Sequence, residues 1–195
     1  MRRINIGAKA VLVVLLAISL VFGDADRFHD KAMGARVIAY PLLCALPFVA
    51  WWLLRRRQAG LPYPHAADAL VTASFLVDLG GNALDLFDRL EWFDDAAHFL
   101  NWAFLGAALG ITLRRGRRPW ELIWMVTGAG AAIAVVWEYA EYTSFVQTVE
   151  QLGIYRDTIG DLCLGTGGAF TAGAIIAWRQ WAATRADSAT QRTGG

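Results

Sequence analysis

Carboxylates and one histidine recur at one-turn helical spacing in the second half of the chain. They form three pairs, which are Asp94 with His98, Glu138 with Glu141, and Asp157 with Asp161. Residues three or four positions apart lie on one face of a helix, so each pair would offer two ligands to its neighbours. Carboxylate oxygens and imidazole nitrogens bind divalent metal ions, and facing helices of a bundle can supply them together. The spacing therefore predicts a divalent-metal site without identifying the ion.

A further polar series begins at Asp78, about midway along an apolar run. Asn82 and Asp85 follow it at helical spacing and are expected on nearly the same face. A carboxylate at the centre of a membrane helix costs at least about 2.5 kcal/mol unless it is paired, protonated or facing water. Asp78 is therefore expected to point into the protein.

A metal-dependent enzyme would use these residues as ligands and as a base. The expected metal ligands are Asp94, His98, Glu138, Glu141 and Asp161. The expected catalytic base is Asp157 or Asp78. The remaining polar residues of the site are Asp95, Asn82, Asp85 and Asn101. Stacked like charges destabilise a helix, so the cluster needs a bound cation, shared protons, or Arg89 and Arg156 folded over it.

Six apolar runs must position these residues. They cover approximately residues 8–22, 35–54, 67–87, 96–113, 120–139 and 159–178. Apolar residues make up 56% of the chain, above the roughly 45–50% of soluble domains. About 20 helical residues cross a hydrocarbon core of about 30 Å. The predicted fold class is all-α, a transmembrane bundle of about six spans in one domain, residues 1–183, with a polar cytoplasmic tail at 184–195.

The charges predict the orientation of this bundle. Of the 18 Lys and Arg residues, 13 fall in four patches at alternate ends of the runs, and 14 of the 17 acids fall at or near the other ends. Basic residues in short loops stay cytoplasmic, so both termini are expected there and the acidic pairs at the outer side. The first run could instead be a cleaved secretory signal, which would leave five spans and would not reorient the others.

The third to sixth spans contain a hint of internal duplication. The third and fifth both run outward and finish with polar residues spaced by three, whereas the fourth and sixth open on paired polar residues. Such a same-direction repeat would relate the two span pairs by a pseudo-twofold axis along the membrane normal.

At these residues the chain also resembles a known group of proteins. Three blocks are similar to the YjdF-like bacterial inner-membrane proteins, which are related in turn to the VanZ-like family. They are Phe93-Asp94-Asp95-Ala96-Ala97-His98-Phe99, Trp137-Glu138-Tyr139-Ala140-Glu141, and Asp157-Thr158-Ile159-Gly160-Asp161. Tyr142 stands where the group has Trp. The resemblance covers roughly residues 78–170 and implies a multi-pass protein of the bacterial inner membrane, without supplying a reaction.

Three functions remain open on the sequence alone. The first is a metal-dependent enzyme that hydrolyses or modifies a lipid-linked or cell-envelope substrate at the outer membrane surface. The second is a proton- or cation-coupled transporter or ion pathway that uses Asp78. The third is a non-catalytic membrane interaction protein. The lipid bilayer is the expected partner, nucleic acid is not expected because topology explains the arginines, and the oligomeric state is not predicted.

Overall fold

The computed structural model describes residues 1–23, 25, 28, 31–144 and 151–193. Seven helices and no strand occur within that part of the chain, which confirms the all-α prediction. The helices are α1 Arg2–Val21, α2 Met33–Arg55, α3 His65–Ala83, α4 Leu86–Arg89, α5 Phe93–Leu113, α6 Pro119–Ser144 and α7 Gln151–Thr193. Residues 184–193, which the sequence placed in a polar tail, continue α7.

Five of these helices are long and apolar enough to cross a membrane, namely α1, α2, α5, α6 and α7. The helix at the predicted third span, α3, is not among them, because two aspartates and an asparagine interrupt its apolar residues. Asp68, Asp78 and Asn82 are all buried. Packing between α1 and α5 shields α3, so its polar groups meet protein rather than lipid.

The predicted third span was too long. We expected it to reach residue 87, but α3 ends at Ala83 and Asp85 has a left-handed φ of 61°. Gly80 and Gly81 weaken the helix there, and Gly81 lies so close to the Phe93 ring that an added Cβ would sit 2.4 Å from it. Asp85 therefore leaves the helical face that Asp78 and Asn82 share.

An ion pair between the half-exposed Lys9 and the buried Asp68 joins α1 to α3. Lys9 Nζ lies 2.8 Å from Asp68 Oδ2, and Asn5 Nδ2 donates to the same oxygen at 2.7 Å. The Tyr63 hydroxyl also donates to it at 2.6 Å. Burial and this hydrogen bond raise the pKa of Tyr63, which keeps the phenol a donor. Asp68 was not among the residues singled out from the sequence, and its carboxylate lies on the basic side of the predicted topology.

Close packing joins α5, α6 and α7. A Cβ added at Gly106 would lie 3.1 Å from the backbone of Ala169, and one added at Gly110 would lie 3.3 Å from the side chain of Ile176. Small residues at such crossings let helix backbones approach closely. The same packing holds the backbones of α5 and α7 close together.

Candidate metal centre

His98 lies where the N-terminal end of α5, the C-terminal end of α6 and the N-terminal half of α7 meet. Its Nε2 is 3.8 Å from Asp94 Oδ1 on α5 and 3.7 Å from Asp161 Oδ2 on α7. Its Nδ1 is 3.9 Å from Glu138 Oε1 on α6. Carboxylates of α5 and α7 therefore lie near Nε2, and a carboxylate of α6 lies near Nδ1.

Most of the side chains around His98 are buried. The side chains of His98 and Glu138 are each 11% exposed, and that of Asp161 is 5% exposed. Asp94 is 44% exposed and forms the accessible edge. Carboxylates at this burial repel one another strongly unless a cation or protons balance them.

The distances between these atoms suit an ion bound between them better than direct hydrogen bonds. Hydrogen bonds to His nitrogen are about 2.7–3.2 Å long, and 3.7–3.9 Å is too far for one. Two groups of three ligand atoms can each close around an ion: Asp94, His98 and Asp161 in one, and His98, Glu138 and Glu141 in the other. His98 belongs to both, so it is the central residue of the site.

The structure thus brings the five predicted ligands together, whereas the remaining polar residues lie around them in different surroundings. Asp95 and Asp157 are exposed, and both still interact electrostatically with Asp94 and His98. Asp85 is paired with Arg89, whose Nε lies 2.8 Å from Asp85 Oδ2. Asn101 lines the cavity beside His98, and its buried Oδ1 has no partner among the described residues.

Asp78 contacts two residues that the sequence did not single out, the arginine of an ion pair and a tyrosine that donates a hydrogen bond. Arg36 Nε on α2 lies 3.3 Å from Asp78 Oδ2, and the Tyr40 hydroxyl donates a hydrogen bond to the same oxygen. Arg36 Nε also donates to Tyr40 at 3.0 Å. A lone arginine at the outer end of an apolar run, against the general charge segregation, was the signal that could have identified this partner.

Arg36 also brings a positive charge close to the acidic cluster. Its guanidinium interacts electrostatically with Glu141 as well as with Asp78. The sequence offered Arg89 and Arg156 as one of three ways to balance the cluster, but Arg89 is paired with Asp85 and Arg156 is exposed. One continuous cavity is lined by Arg36, Asp78, His98 and Glu141, so the ion pair and the candidate metal centre face the same space.

A second ion pair joins Lys31, just before α2, to Asp88 of α4. Lys31 donates a hydrogen bond to the Asp88 carboxylate, and this lowers the pKa of Asp88 below its usual value. A lowered carboxyl pKa means that the pair contributes stability above the ordinary aspartate pKa and loses it only as the pH falls through the lowered value. The contact therefore persists in mildly acidic surroundings.

Comparison with protein families places this chain among membrane proteins. A family model described as "Predicted membrane protein (DUF2238)" matches residues 8–182, so the chain belongs to that family. No curated protein and no solved structure shows a significant match. The family match confirms the expected membrane protein, whereas the finer resemblance to YjdF-like and VanZ-like proteins stays a prediction.

Proposed function

We propose that this member of the DUF2238 family binds a divalent metal ion at His98. The observation that supports it is the convergence of His98 Nε2, Asp94 and Asp161 at distances too long for hydrogen bonding. Zn²⁺, for example, lies about 2.0–2.2 Å from nitrogen and oxygen ligands, so such an ion would draw these atoms slightly inward. Its charge would offset the repulsion among the buried carboxylates.

Glu138 has a distinct role in this proposal. One imidazole cannot present both nitrogens to one ion, so the two groups of three atoms exclude each other for a single metal. A metal-binding histidine usually donates its other N–H to a carboxylate, which fixes its tautomer and ring orientation. Glu138 beside Nδ1 suits that position, and Glu141 lies next along the same helix face.

The chemistry that we propose is hydrolysis or modification of a lipid-linked or cell-envelope substrate. A bound divalent ion supplies Lewis-acid polarisation of a phosphoryl or carbonyl oxygen. Asp157 is better placed than Asp78 to accept a proton, because Asp78 is paired with Arg36 while Asp157 is exposed beyond Asp161. The unpartnered Oδ1 of Asn101 can accept a hydrogen bond from a substrate hydroxyl or amide.

The proposed setting is the bacterial inner membrane, with six spans and both termini in the cytoplasm. The buried pairing of both aspartates allows α3 to cross beside the five more apolar helices. The basic loops then lie inside and the His98 centre faces outward. The same-direction repeat of the third to sixth spans belongs to this proposal.

Metal binding is expected to depend on Asp161 far more than on a neighbouring exposed acid. Asp161→Asn removes a ligand without changing the side-chain shape, so we expect affinity for Mn²⁺ or Zn²⁺ to fall by about 100-fold or more. Glu138→Gln should weaken binding by about 10–100-fold, as loss of an orienting carboxylate typically does. Titration calorimetry of the purified protein, with metal content by mass spectrometry, measures both.

Asp95→Asn is the matched control, because it removes one carboxylate from the exposed side of α5. Equal losses in Asp95→Asn and Asp161→Asn would show a general effect of negative charge. Wild-type affinity in Asp161→Asn, together with loss in Glu141→Gln, would place the ion on the Glu138 side of the imidazole instead.

A proton- or cation-coupled pathway is the second candidate. The observation that favours it is the cavity itself, which reaches from Asp94 past Asp78 to Arg114 at the opposite end of the bundle. If the protein conducts protons or cations, Asp78→Asn should abolish their uptake into liposomes, while Asp88→Asn should not. Uptake by neither wild type nor variant would exclude this function and leave the enzyme proposal intact.

A further inference from the structure

A long groove separates α2 from α6. Among the described helices, α2 packs on α1 and α3, and α6 packs on α5 and α7, while α2 and α6 do not pack on each other. The cavity between them has a volume of about 1030 Å³. This volume is just above the range of roughly 300–1,000 Å³ that is usual for pockets that hold small ligands.

The wall of the groove suits an extended apolar chain. It is formed in its middle by Leu46 and Ala50 of α2 and by Leu105 and Leu109 of α5. From Tyr40 to Leu54 the α2 side is about 21 Å long at the helical rise of about 1.5 Å per residue. One leaflet of the bilayer core is about 15 Å deep, so the groove is long enough for an acyl chain.

One end of the groove is basic. Arg114, Arg115 and Arg117 line it there, and none of their side chains forms an ion pair within the described part of the chain. The arginines at the end of α2 do not line the groove. Arg55 and Arg56 stack instead on Trp51 and Trp52.

We infer that this groove binds an anionic glycerophospholipid of the surrounding bilayer. Its phosphate would meet Arg114, Arg115 and Arg117, and one acyl chain would follow the groove toward Trp102. Guanidinium groups bind phosphate oxygens in bidentate fashion, and basic pockets between transmembrane helices bind anionic head groups. The predicted membrane orientation explains why this loop contains arginines. It does not explain why three of them line an apolar groove. The site goes beyond the proposed metal function and does not require the metal.

The first test removes the charges at the basic end. The triple variant Arg114→Gln, Arg115→Gln, Arg117→Gln should bind dioleoyl phosphatidylglycerol about 100-fold more weakly, at about fivefold per arginine. Wild type should prefer this lipid to dioleoyl phosphatidylcholine, as measured by native mass spectrometry of the detergent-solubilised protein. Arg115→Gln alone, with a loss of about fivefold, serves if the triple variant does not fold.

The triple variant Arg55→Gln, Arg56→Gln, Arg57→Gln is the matched control, because it removes the same charge outside the groove. An equal loss in this control would overturn the proposal in favour of a general surface-charge effect. Equal wild-type affinity for the two lipids would overturn it as well.

The second test fills the groove. Ala50 lines it, whereas Val49 is exposed on the adjacent face of α2 and does not. Ala50→Trp should weaken phosphatidylglycerol binding at least tenfold and Val49→Trp should leave it unchanged. Wild-type lipid affinity in Ala50→Trp would overturn the proposal, and loss of a dimer in that variant with lipid binding intact would identify a second copy as the occupant.

Discussion

Gly168→Ala is expected to lower the free energy of unfolding by about 1–3 kcal/mol, the usual cost of overpacking a close contact. A Cβ at this position would lie 2.2 Å from the carbonyl oxygen of Phe99 and 3.0 Å from the amide nitrogen of Ala103. Both atoms belong to the backbone of α5, so no side-chain rotation can relieve the clash. The helices α5 and α7 must separate instead.

The same change should weaken metal binding. Gly168 faces the residue that follows His98, and Asp161 lies two turns earlier on α7. Separation of the helices would lengthen the 3.7 Å distance between His98 Nε2 and Asp161 Oδ2. We expect metal affinity to fall by about 10–100-fold, as when the support of a metal ligand is disturbed. Denaturation in detergent and metal titration of the same sample measure the two effects.

Gly167→Ala provides an adjacent control. A Cβ at Gly167 would have its nearest neighbour, a ring atom of Phe99, at 4.0 Å, which is ordinary contact or less. Alanine is a better helix former than glycine by about 0.8–1.0 kcal/mol, so this variant should unfold at the same or a higher temperature. Equal destabilisation by both variants would show that the loss comes from helix flexibility rather than from the α5–α7 contact.

The candidate site could be predicted from the sequence to the extent that helical spacing decides it. Asp94 and His98 share a face because they are four residues apart, and Glu138 and Glu141 because they are three apart. These relations need no knowledge of which helices are neighbours. The order of basic and acidic loops then placed both pairs at one end of the bundle, where the structure joins them through His98.

The partners of the buried acids could not be predicted in the same way. Arg36 and Asp78 are 42 residues apart, and their contact depends on how α2 packs on α3. The exceptions to the charge segregation nevertheless mark such contacts. Lys31, Arg36 and Arg89 are basic residues on the acidic side, and each is paired with an aspartate. Asp68, an acid on the basic side, is paired with Lys9.

The groove between α2 and α6 could not be predicted from the sequence either. Its wall comes from four helices, and each contributes a stripe of ordinary apolar residues that could equally face lipid or protein. The end of α3 was missed for a related reason, because two glycines and the packing of an aromatic ring against Gly81 override an otherwise helical pattern. Both features depend on tertiary contacts that periodicity does not encode.

Arg36→Met is expected to destabilise the protein by about 3–5 kcal/mol, because it leaves a buried carboxylate without its cation. The side chains of Arg36 and Asp78 are only 13% and 12% exposed, so water cannot replace the lost charge. The double variant Arg36→Met, Asp78→Asn should recover most of this loss, since the neutral amide needs no counter-ion and keeps its contact with Tyr40. Denaturation of wild type, both single variants and the double variant completes the cycle.

The exposed pair Lys31 and Asp88 gives the comparison that tests the role of burial. Asp88 is 54% exposed, so Lys31→Met should cost at most about 1 kcal/mol, as surface ion pairs usually do. Similar losses in Lys31→Met and Arg36→Met would mean that water reaches Asp78 and that α3 is not shielded. A loss confined to Arg36→Met, reversed by Asp78→Asn, would show that one cation holds α2 on α3 beside the acidic centre. Metal titration of the double variant would then reveal whether the His98 centre needs that cation or only an ion of its own.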